Sequence, residues 1–446
     1  MSPKNSSIAG RFFRGADGWL LFSVAALLVI GCFAVYSASF HYGISSKYIT
    51  VQAAAILIGV FLMLTIVQIN YRYYKDFDTA VYIISIILLI AVLVLGKKVN
   101  GARRWIDFGP LSFQPVEIAK LLYILVFASF LDKHWKKVKK PMILIGSFLL
   151  LMGHFILIMA QPGFSSTLSY FLVTLVLLYV AGAEFFYILC VGLFCVLSVG
   201  IPVGIEILKF NDLSPHMTLF VAALQTNAWY ILAPAGVVIF LMFAVWWFLW
   251  KLRTRVSIMF PILLSLVILF GSLASVSVEK NLKDYQRKRI VVFLYPESDS
   301  RGTGYNVVQS KIAMGSGKLT GKGFLKGSQT QLGFLPEQHT DFIFSVIGEE
   351  GGWVFSQLVI LLYFIFVWRA LVIAREARDR YGSYIALGIA SMFTFYAVIN
   401  IAMVTGLMPV AGVPLLFLSY GGSSIVSSLC AVGVLISINS RRHMNG

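Results

Sequence analysis

The sequence predicts an all-α polytopic membrane protein with about twelve transmembrane helices. Of its 446 residues, 59% are hydrophobic and 12% are charged. Soluble domains carry about 25% charged residues, so this chain has too few polar groups to cover its surface in water. Its apolar runs are continuous over roughly 20 residues, whereas the strands of a membrane barrel alternate over about 10. Both observations favour a helical bundle.

Twelve apolar runs approach the roughly 20 residues that cross a bilayer. They occupy residues 19–38, 49–69, 77–96, 115–131, 141–160, 164–181, 184–203, 229–250, 257–277, 353–371, 383–405 and 414–438. The first run is not followed by a convincing cleavage site, so we expect it to be retained as a span.

Basic residues in the connections between these runs predict the orientation. Every second connection is basic, with Arg72, Lys75, Lys133, Lys136, Lys137, Lys139, Lys140, Lys251, Arg253, Arg255, Arg369, Arg375, Arg378, Arg380, Arg441 and Arg442. Because cytoplasmic loops carry this bias, both termini are predicted to be cytoplasmic. The net charge of +17 then indicates membrane lipid as a partner, and no aromatic-plus-basic motif indicates nucleic acid.

One connection breaks this charge pattern. Lys97, Lys98, Arg103 and Arg104 lie between the third and fourth runs, on the side predicted to be extracytoplasmic. Because arginine binds phosphate well, these cations indicate an anionic ligand at the outer surface. The alternative is that Arg103 and Arg104 pair with Asp107 or with lipid phosphate.

Glu117 and Lys120 stand three positions apart at the start of the fourth run, on one helix face. Ionisable groups inside a span are costly and usually face a polar cavity. Two interpretations remain open at this stage. The pair acts on a substrate directly, or it is an ion pair that packs the bundle.

Residues 278–352 form the longest polar stretch, which we expect to be a large extracytoplasmic catalytic loop. Within it, residues 307–317 alternate apolar and polar side chains, a pattern typical of a short helix lying in the membrane interface. The stretch ends in a polar cluster of Glu337, His339 and Asp341. His339 either orients Asp341 or caps a turn.

Five motifs in the chain are shared with one family. They are RRWIDFGPLSFQPVEIAK at 103–120, YQRKRI at 285–290, GTGYNVVQSKIAMGSG at 302–317, LPEQHTDFIFSVIGEEGG at 335–352 and MVTGLMPVAGVPLLFLSYGGSS at 403–424. Together they resemble the SEDS family (shape, elongation, division and sporulation), which includes RodA, FtsW and SpoVE. The sequence of residues 327–342 is more similar to the RodA branch than to the FtsW branch.

The resemblance implies a single SEDS-type membrane domain over residues 1–446, with a core of ten helices and an inserted helix pair at 184–250. It implies a peptidoglycan glycosyltransferase that polymerises lipid II at the outer face of the bacterial cytoplasmic membrane, with a role in cell elongation and rod shape. The implied partners are lipid II, the nascent glycan, a class B penicillin-binding protein and other elongation-complex proteins. No organic cofactor is expected, whereas a divalent cation, Mg²⁺ or Mn²⁺, could assist.

The resemblance also assigns roles to individual residues. It makes Asp341 of the HTDF motif the catalytic carboxylate, and it gives Glu117 and Lys120 a catalytic role. From the residues alone, Glu337 and Asp299 remain alternatives to Asp341 as general base. The residues predicted to bind substrate are Arg103, Arg104, Gln309, Ser310, Lys311, Glu337 and His339.

The chain departs from the family at one turn, and two other classes of function stay open. The family usually has a carboxylate in QPD, where this chain has Gly163. A flippase or transporter of lipid-linked oligosaccharide would also be a basic, twelve-span protein, although such proteins show repeated halves. A non-catalytic scaffold of the cell-wall or division machinery is the other alternative.

Overall fold

The computed structural model describes residues 17–41, 43, 45–99, 102–108, 111–161, 163–210, 227–254, 257–281, 287, 291–293, 295, 299 and 302–442. Its longer elements are α1 (Gly18–Phe40), α2 (Ser45–Gln68), α3 (Tyr73–Asp76), α4 (Asp78–Leu95), β1 (Lys97–Val99), β2 (Ala102–Phe108), β3 (Leu111–Phe113), α5 (Pro115–Lys133), α6 (Pro141–Ala160), α7 (Phe164–Val180), α8 (Phe185–Phe210), α9 (Trp229–Lys251), α10 (Met259–Asn281), α11 (Thr303–Ser316), α12 (Ser328–Gln331), α13 (Ile343–Glu376), α14 (Arg380–Val404) and α15 (Gly422–Ser440).

The predicted helical membrane fold is confirmed. Each of the twelve predicted spans overlaps one of the helices α1, α2, α4 to α10 and α13 to α15. Within the described residues, ten of these helices are long and apolar enough to cross a membrane. Helix α7 has only 17 residues, and α5 carries charged residues near both ends. The total of twelve therefore stays a prediction.

The chain divides into two compact units, residues 1–182 with 306–446, and residues 183–305. In the first unit, α14 and α15 are the most enclosed of the ten candidate spans. Helix α15 packs along α2, and α14 packs against α5, α7 and α13. Small residues allow this close approach, because a Cβ on Gly59 of α2 would lie 2.5 Å from the Leu429 side chain of α15.

In the second unit, α10 packs against both α8 and α9. Arg287 forms ion pairs with Glu206 of α8 at 2.8 Å and with Glu279 of α10 at 3.5 Å. The predicted inserted pair at 184–250 corresponds to α8 and α9. That these helices are an insertion stays a prediction.

Two features of the connections differ from the sequence-based expectation. Strands β1, β2 and β3 form a small antiparallel sheet, with Lys97 opposite Trp105 and Ile106 opposite Phe113. Strands this short give no lasting alternation, so the sequence predicted only a loop. In addition, α13 begins at Ile343, ten residues before the predicted span, and is broken at Gly352 (φ 71°, ψ −170°).

Candidate active site

The backbone of the HTD sequence is held at three consecutive carbonyl groups, those of residues 339–341. The Tyr420 N–H donates to the first at 2.9 Å. The Ser419 hydroxyl donates to the second at 2.6 Å, and the Asn400 amide donates to the third at 2.8 Å. Helix α14 and the segment before α15 therefore fix the backbone from which the half-buried Asp341 side chain projects.

The loop between α14 and α15 lies beside the Asp341 carboxylate. The same Asn400 Nδ2 that binds the Asp341 carbonyl donates to the carbonyl of Val413 at 2.6 Å. A Cβ on the neighbouring Gly412 (φ 68°) would lie 3.4 Å from Asp341 Oδ2. Glycine leaves open a space at the carboxylate that a side chain would narrow.

His339 is an aromatic packing partner. Its ring stacks on Tyr48 with the centroids 4.8 Å apart and lies 5.8 Å from the ring of Tyr420. Its Nδ1 is buried and has no hydrogen-bond partner among the described residues. Burial lowers the pKa of His339, and the negative charge of Glu337 offsets part of this effect. The contacts support packing rather than turn capping.

Glu337 and Asp299 were the alternatives to Asp341 as base. Glu337 is exposed and caps its own turn, because the Thr340 hydroxyl donates to its Oε2 at 3.2 Å. Its φ of 52° matches such a turn. Asp299 is buried in the second compact unit, where its carbonyl accepts the Tyr305 N–H at 3.0 Å. Within the predicted polar cluster, Glu337 therefore caps a turn and His339 packs against aromatic rings, which leaves Asp341 as the candidate base.

The predicted pair of Glu117 and Lys120 is present and enclosed in the bundle. Lys120 Nζ lies 3.2 Å from each carboxylate oxygen of Glu117, and both side chains are buried. Lys120 also donates a hydrogen bond to the Tyr396 hydroxyl. Tyr396 lies one turn before Asn400 on α14, so both project from the same side of that helix. Helix α14 thereby links the ion pair to the backbone of Asp341.

The serines of the SYGGSS motif form specific hydrogen bonds as well as allowing close packing. The Ser423 hydroxyl accepts the Gln114 N–H at 2.8 Å and donates to the Ser112 carbonyl at 3.3 Å. This contact fixes the start of α5, two residues before Glu117, against the start of α15.

Arg103 and Arg104, both predicted to bind substrate, are neighbours on β2. Side chains of neighbouring strand residues point to opposite faces of a sheet. Arg103 is exposed and donates to the Leu93 carbonyl at 3.1 Å. Arg104 is half-buried and donates to the Gln161 carbonyl at 2.9 Å. Asp107 pairs with Lys97 at 3.5 Å. Strand β2 is thus tied to the ends of α4 and α6.

Helix α11 confirms the predicted helix but corrects which side chains it buries. Ser310, predicted to bind substrate, is fully enclosed and bonds to the Ser345 hydroxyl and the Val404 carbonyl, each at 2.7 Å. Ile312 is exposed instead. The reason is close packing, since a Cβ on Gly317 would lie 2.0 Å from the carbonyl oxygen of Gly348. A side chain at Gly317, just after α11, would therefore clash with the backbone of α13.

Two other predicted ligands on α11 stay accessible. Lys311 is exposed, and its ammonium lies 2.6 Å from the position of a Cβ on Gly406. Its side chain therefore covers the start of the loop that carries Gly412. Gln309 is half-buried.

The turn that lacks the family carboxylate is packed for glycine. A Cβ on Gly163 would lie 2.8 Å from the Ile158 side chain and 3.1 Å from its carbonyl oxygen. The Gly163 carbonyl accepts the Thr167 hydroxyl at 3.1 Å. The Thr167 hydroxyl thus bonds to this turn at Gly163, two residues after Gln161, whose carbonyl accepts the Arg104 guanidinium.

Glu349 is a buried acidic residue of α13 for which no role was predicted from the sequence. Its fully buried carboxylate accepts hydrogen bonds from the Lys322 ammonium at 2.8 Å, the Gln329 N–H at 2.9 Å and the Thr330 N–H at 3.0 Å. The neighbouring Glu350 accepts the Ser37 hydroxyl at 2.6 Å. The sequence signal that could have indicated these contacts was the pair of adjacent glutamates, Glu349 and Glu350, just before a predicted span.

Metal-ligating side chains are not clustered in the described part of the chain. No group of three His, Cys, Asp or Glu residues there could hold a metal ion. Mg²⁺ commonly binds through one or two carboxylates, water and substrate phosphates. A divalent cation at Asp341 would therefore depend on phosphate oxygens of a ligand.

Comparison with known proteins decides the family. The family model for the cell cycle proteins FtsW, RodA and SpoVE matches residues 18–212 and 208–444. The chain belongs to this family. The predicted SEDS membership is thereby confirmed.

Curated relatives of this family member match over nearly the whole chain. It is 35% identical over 444 residues to the peptidoglycan glycosyltransferase RodA of Treponema pallidum, covering 96% of this chain and 98% of that protein. It is 32% identical over 428 residues to the peptidoglycan glycosyltransferase MrdB of Escherichia coli K12, covering 96% and 94%. It is 33% identical over 437 residues to a probable peptidoglycan glycosyltransferase FtsW of Trichlorobacter lovleyi, covering 94% and 92%.

Solved structures share the fold. One, described as the structural coordination of polymerization and crosslinking by a peptidoglycan synthase complex, matches with a TM-score of 0.69 at 24% identity, covering 96% of this chain and 99% of that one. The rod shape determining protein RodA of Thermus thermophilus matches with a TM-score of 0.58 at 22% identity, covering 96% and 98%.

Proposed function

We propose that this protein is a peptidoglycan glycosyltransferase that polymerises lipid II into glycan strands during cell elongation. Relatives at 32% to 35% identity over nearly the full chain are named peptidoglycan glycosyltransferases. The observation that carries the proposal for the site is the fixed HTD backbone, which presents the half-buried Asp341 beside the glycine of the neighbouring loop.

The proposed reaction joins two sugars in one displacement. A hydroxyl of the acceptor lipid II attacks the anomeric carbon of the lipid-linked glycan chain, and undecaprenyl pyrophosphate leaves. A sugar hydroxyl is a weak nucleophile, so Asp341 takes its proton as general base, an effect typically worth about 10²- to 10⁴-fold in rate. The fixed backbone holds the carboxylate in place before substrate binds. Single displacement predicts inversion at the anomeric carbon.

Two exposed cations are assigned to stabilise the leaving pyrophosphate. Lys311 is exposed on α11 against the loop beside Asp341, and Arg103 is exposed on β2. Positive charge directed at the leaving oxygen lowers the barrier. Lys120 is assigned a different role, because it is enclosed and paired with Glu117. The ion pair positions α5 against α14 and thereby supports the site.

The cellular location, the protein partner and the metal ion are proposed from the same glycosyltransferase assignment. We place Asp341 at the outer face of the bacterial cytoplasmic membrane with both termini cytoplasmic, as the basic connections favour. A class B penicillin-binding protein is the proposed partner, since one structure of the same fold is that of a complex coordinating polymerization and crosslinking. Mg²⁺ or Mn²⁺ bound to the substrate pyrophosphate is the proposed inorganic cofactor.

The decisive experiment gives purified protein labelled lipid II, with and without a class B partner, and resolves the products by size. The intact protein is expected to form glycan polymer, and the Asp341→Ala variant is expected to form none. The Asp76→Ala variant, at an exposed carboxylate of α3 in a connection predicted to be cytoplasmic, is the control and is expected to keep most activity. A flippase would move lipid II across a liposome membrane without polymer. A scaffold would do neither, and absence of polymer with the partner present would refute the proposal.

A further inference from the structure

The break in α13 at Gly352 is filled by residues 317–327 of the long polar stretch. The N–H groups of Lys322 and Gly323 donate to the carbonyls of Glu349 and Glu350 at 3.1 and 3.0 Å. The N–H group of Trp353, just past the break, donates to the carbonyl of Lys318 at 2.9 Å. Backbone groups that a helix break would leave without partners are therefore satisfied by this segment.

An ion pair near the other end of α13 provides a reference point from which depth in the membrane can be measured. Arg369 of α13 binds the carboxylate of Asp17, the N-cap of α1, with Nε 2.8 and 3.0 Å from its two oxygens. Phe33 lies sixteen residues after Asp17, and Trp353 lies sixteen residues before Arg369. At about 1.5 Å per residue, both are roughly 24 Å along their helices from the ion pair.

This distance is shorter than the hydrocarbon thickness of a bilayer, which is about 30 Å. A charged pair lies at or outside the hydrocarbon boundary because burial in lipid is costly. Phe33 and Trp353 therefore lie at least roughly 6 Å inside the opposite boundary, and any helix tilt places them deeper.

The 317–327 segment reaches this depth. The ring of Phe324 lies 5.8 Å from the ring of Phe33 and 6.3 Å from that of Tyr36, measured between centroids. Phe324 is nevertheless 48% exposed, and Leu319 is 65% exposed. Phe33 and Trp353 beside them are also exposed. In water this would be a contiguous apolar patch, whereas in lipid it continues the surface of the spanning helices.

The lysines of the 317–327 segment are also compatible with a position in lipid. Lys322 pairs with the buried Glu349 at 2.8 Å. Lys318 and Lys326 are exposed, and their long apolar stems allow the ammonium groups to reach lipid phosphates while the backbone lies deeper.

We propose that residues 317–327 form a re-entrant segment that enters the lipid leaflet at the Phe40 end of α1. Leu319 and Phe324 contact acyl chains, and Lys318 and Lys326 contact phosphate groups of the lipid headgroups. Because the segment is bonded to α13 just after Asp341, the leaflet itself fixes the height of the HTD sequence relative to a lipid-borne ligand. This proposal stands independently of the reaction assigned to Asp341.

Spin-label depth measurements test the proposal in full-length protein reconstituted into phosphatidylcholine and phosphatidylglycerol nanodiscs. The four free cysteines, Cys32, Cys190, Cys195 and Cys430, are first replaced by alanine. A nitroxide is then attached to Leu319→Cys or Phe324→Cys, and its collisions with oxygen and with a water-soluble nickel complex are compared. Two independent sites guard against perturbation by one label.

Two exposed positions serve as matched references. Val29 lies in the middle of α1. Leu332 is exposed next to Gly333, where a Cβ would lie 3.0 Å from the ring of His41 just past the end of α1. Labels at 319 and 324 are expected to give an oxygen-to-nickel ratio close to that of Val29→Cys and several-fold above that of Leu332→Cys. Ratios equal to that of Leu332→Cys at both sites would overturn the proposal.

Discussion

Asn400 binds the carbonyl of Asp341 and the carbonyl of Val413 through the same amide nitrogen, at 2.8 and 2.6 Å. The two acceptors belong to different loops that meet only in the folded protein. Asn400 is fully buried, so water does not replace its hydrogen bonds. The relationship makes α14 the element that aligns the proposed base with the glycine-containing loop beside it.

Asn400→Ala is expected to lower kcat for lipid II polymerisation while leaving KM nearly unchanged, because the variant loosens the base without removing a substrate contact. Two carbonyls lose a donor, which is expected to cost about 1–3 kcal/mol of stability. Steady-state kinetics and thermal unfolding measure both effects. Ser391→Ala is the control on the same helix, since among the described residues that hydroxyl bonds to the Gly388 carbonyl of its own helix. An unchanged kcat in folded Asn400→Ala would contradict the positioning role.

Lys120 and Glu117 are expected to be strongly coupled in a double-mutant cycle. Lys120→Met leaves a buried carboxylate without its partner and is expected to cost about 3–5 kcal/mol. Glu117→Gln combined with Lys120→Met removes both charges and is expected to be more stable than Lys120→Met alone. Thermal midpoints in nanodiscs measure the coupling. Additive effects of the two changes would show that the pair does not support the bundle.

His339 is expected to make the protein less stable in mild acid. Its folded pKa is lowered by burial, so the unfolded chain binds a proton at a higher pH, near about 6.5. The contribution of the neutral ring is complete above that pH and is lost as the pH falls through the lowered folded pKa. Thermal midpoints measured from about pH 8 to 5 test this dependence.

The matched variants are His339→Phe, which keeps ring packing without a titrating nitrogen, and His41→Phe at an exposed position. His339→Phe is expected to reduce the fall of the thermal midpoint in acid, and His41→Phe is expected to leave that fall unchanged. An identical acid profile in wild type and His339→Phe would contradict the assignment.

The sequence predicted the membrane helices well because continuous apolar runs are a local signal. The predicted start of a span at 353 coincides with the break at Gly352, where the polar stretch ends. The Glu117–Lys120 pair was predictable since both residues lie on one helix face.

Other parts of the site depend on contacts between distant segments and leave little local signal. Asn400 lies inside an apolar run, and its partner Asp341 is 59 residues away. Ser310 and Ile312 differ in burial from the simple pattern because α11 faces the backbone of α13 closely. The polar composition of residues 317–327 predicted part of an extracytoplasmic loop, and it carried no signal for the backbone hydrogen bonds that join this segment to α13 on both sides of Gly352.

The single-turnover rate of glycan bond formation from lipid II tests the central claim most directly. Asp341→Asn keeps the size of the side chain and its backbone contacts but cannot accept the hydroxyl proton. The rate is expected to fall about 10²- to 10⁴-fold at saturating lipid II, while the control Asp76→Asn, at an exposed carboxylate of α3, is expected to stay close to wild type. A rate for Asp341→Asn equal to that of wild type would contradict the assignment of Asp341 as general base.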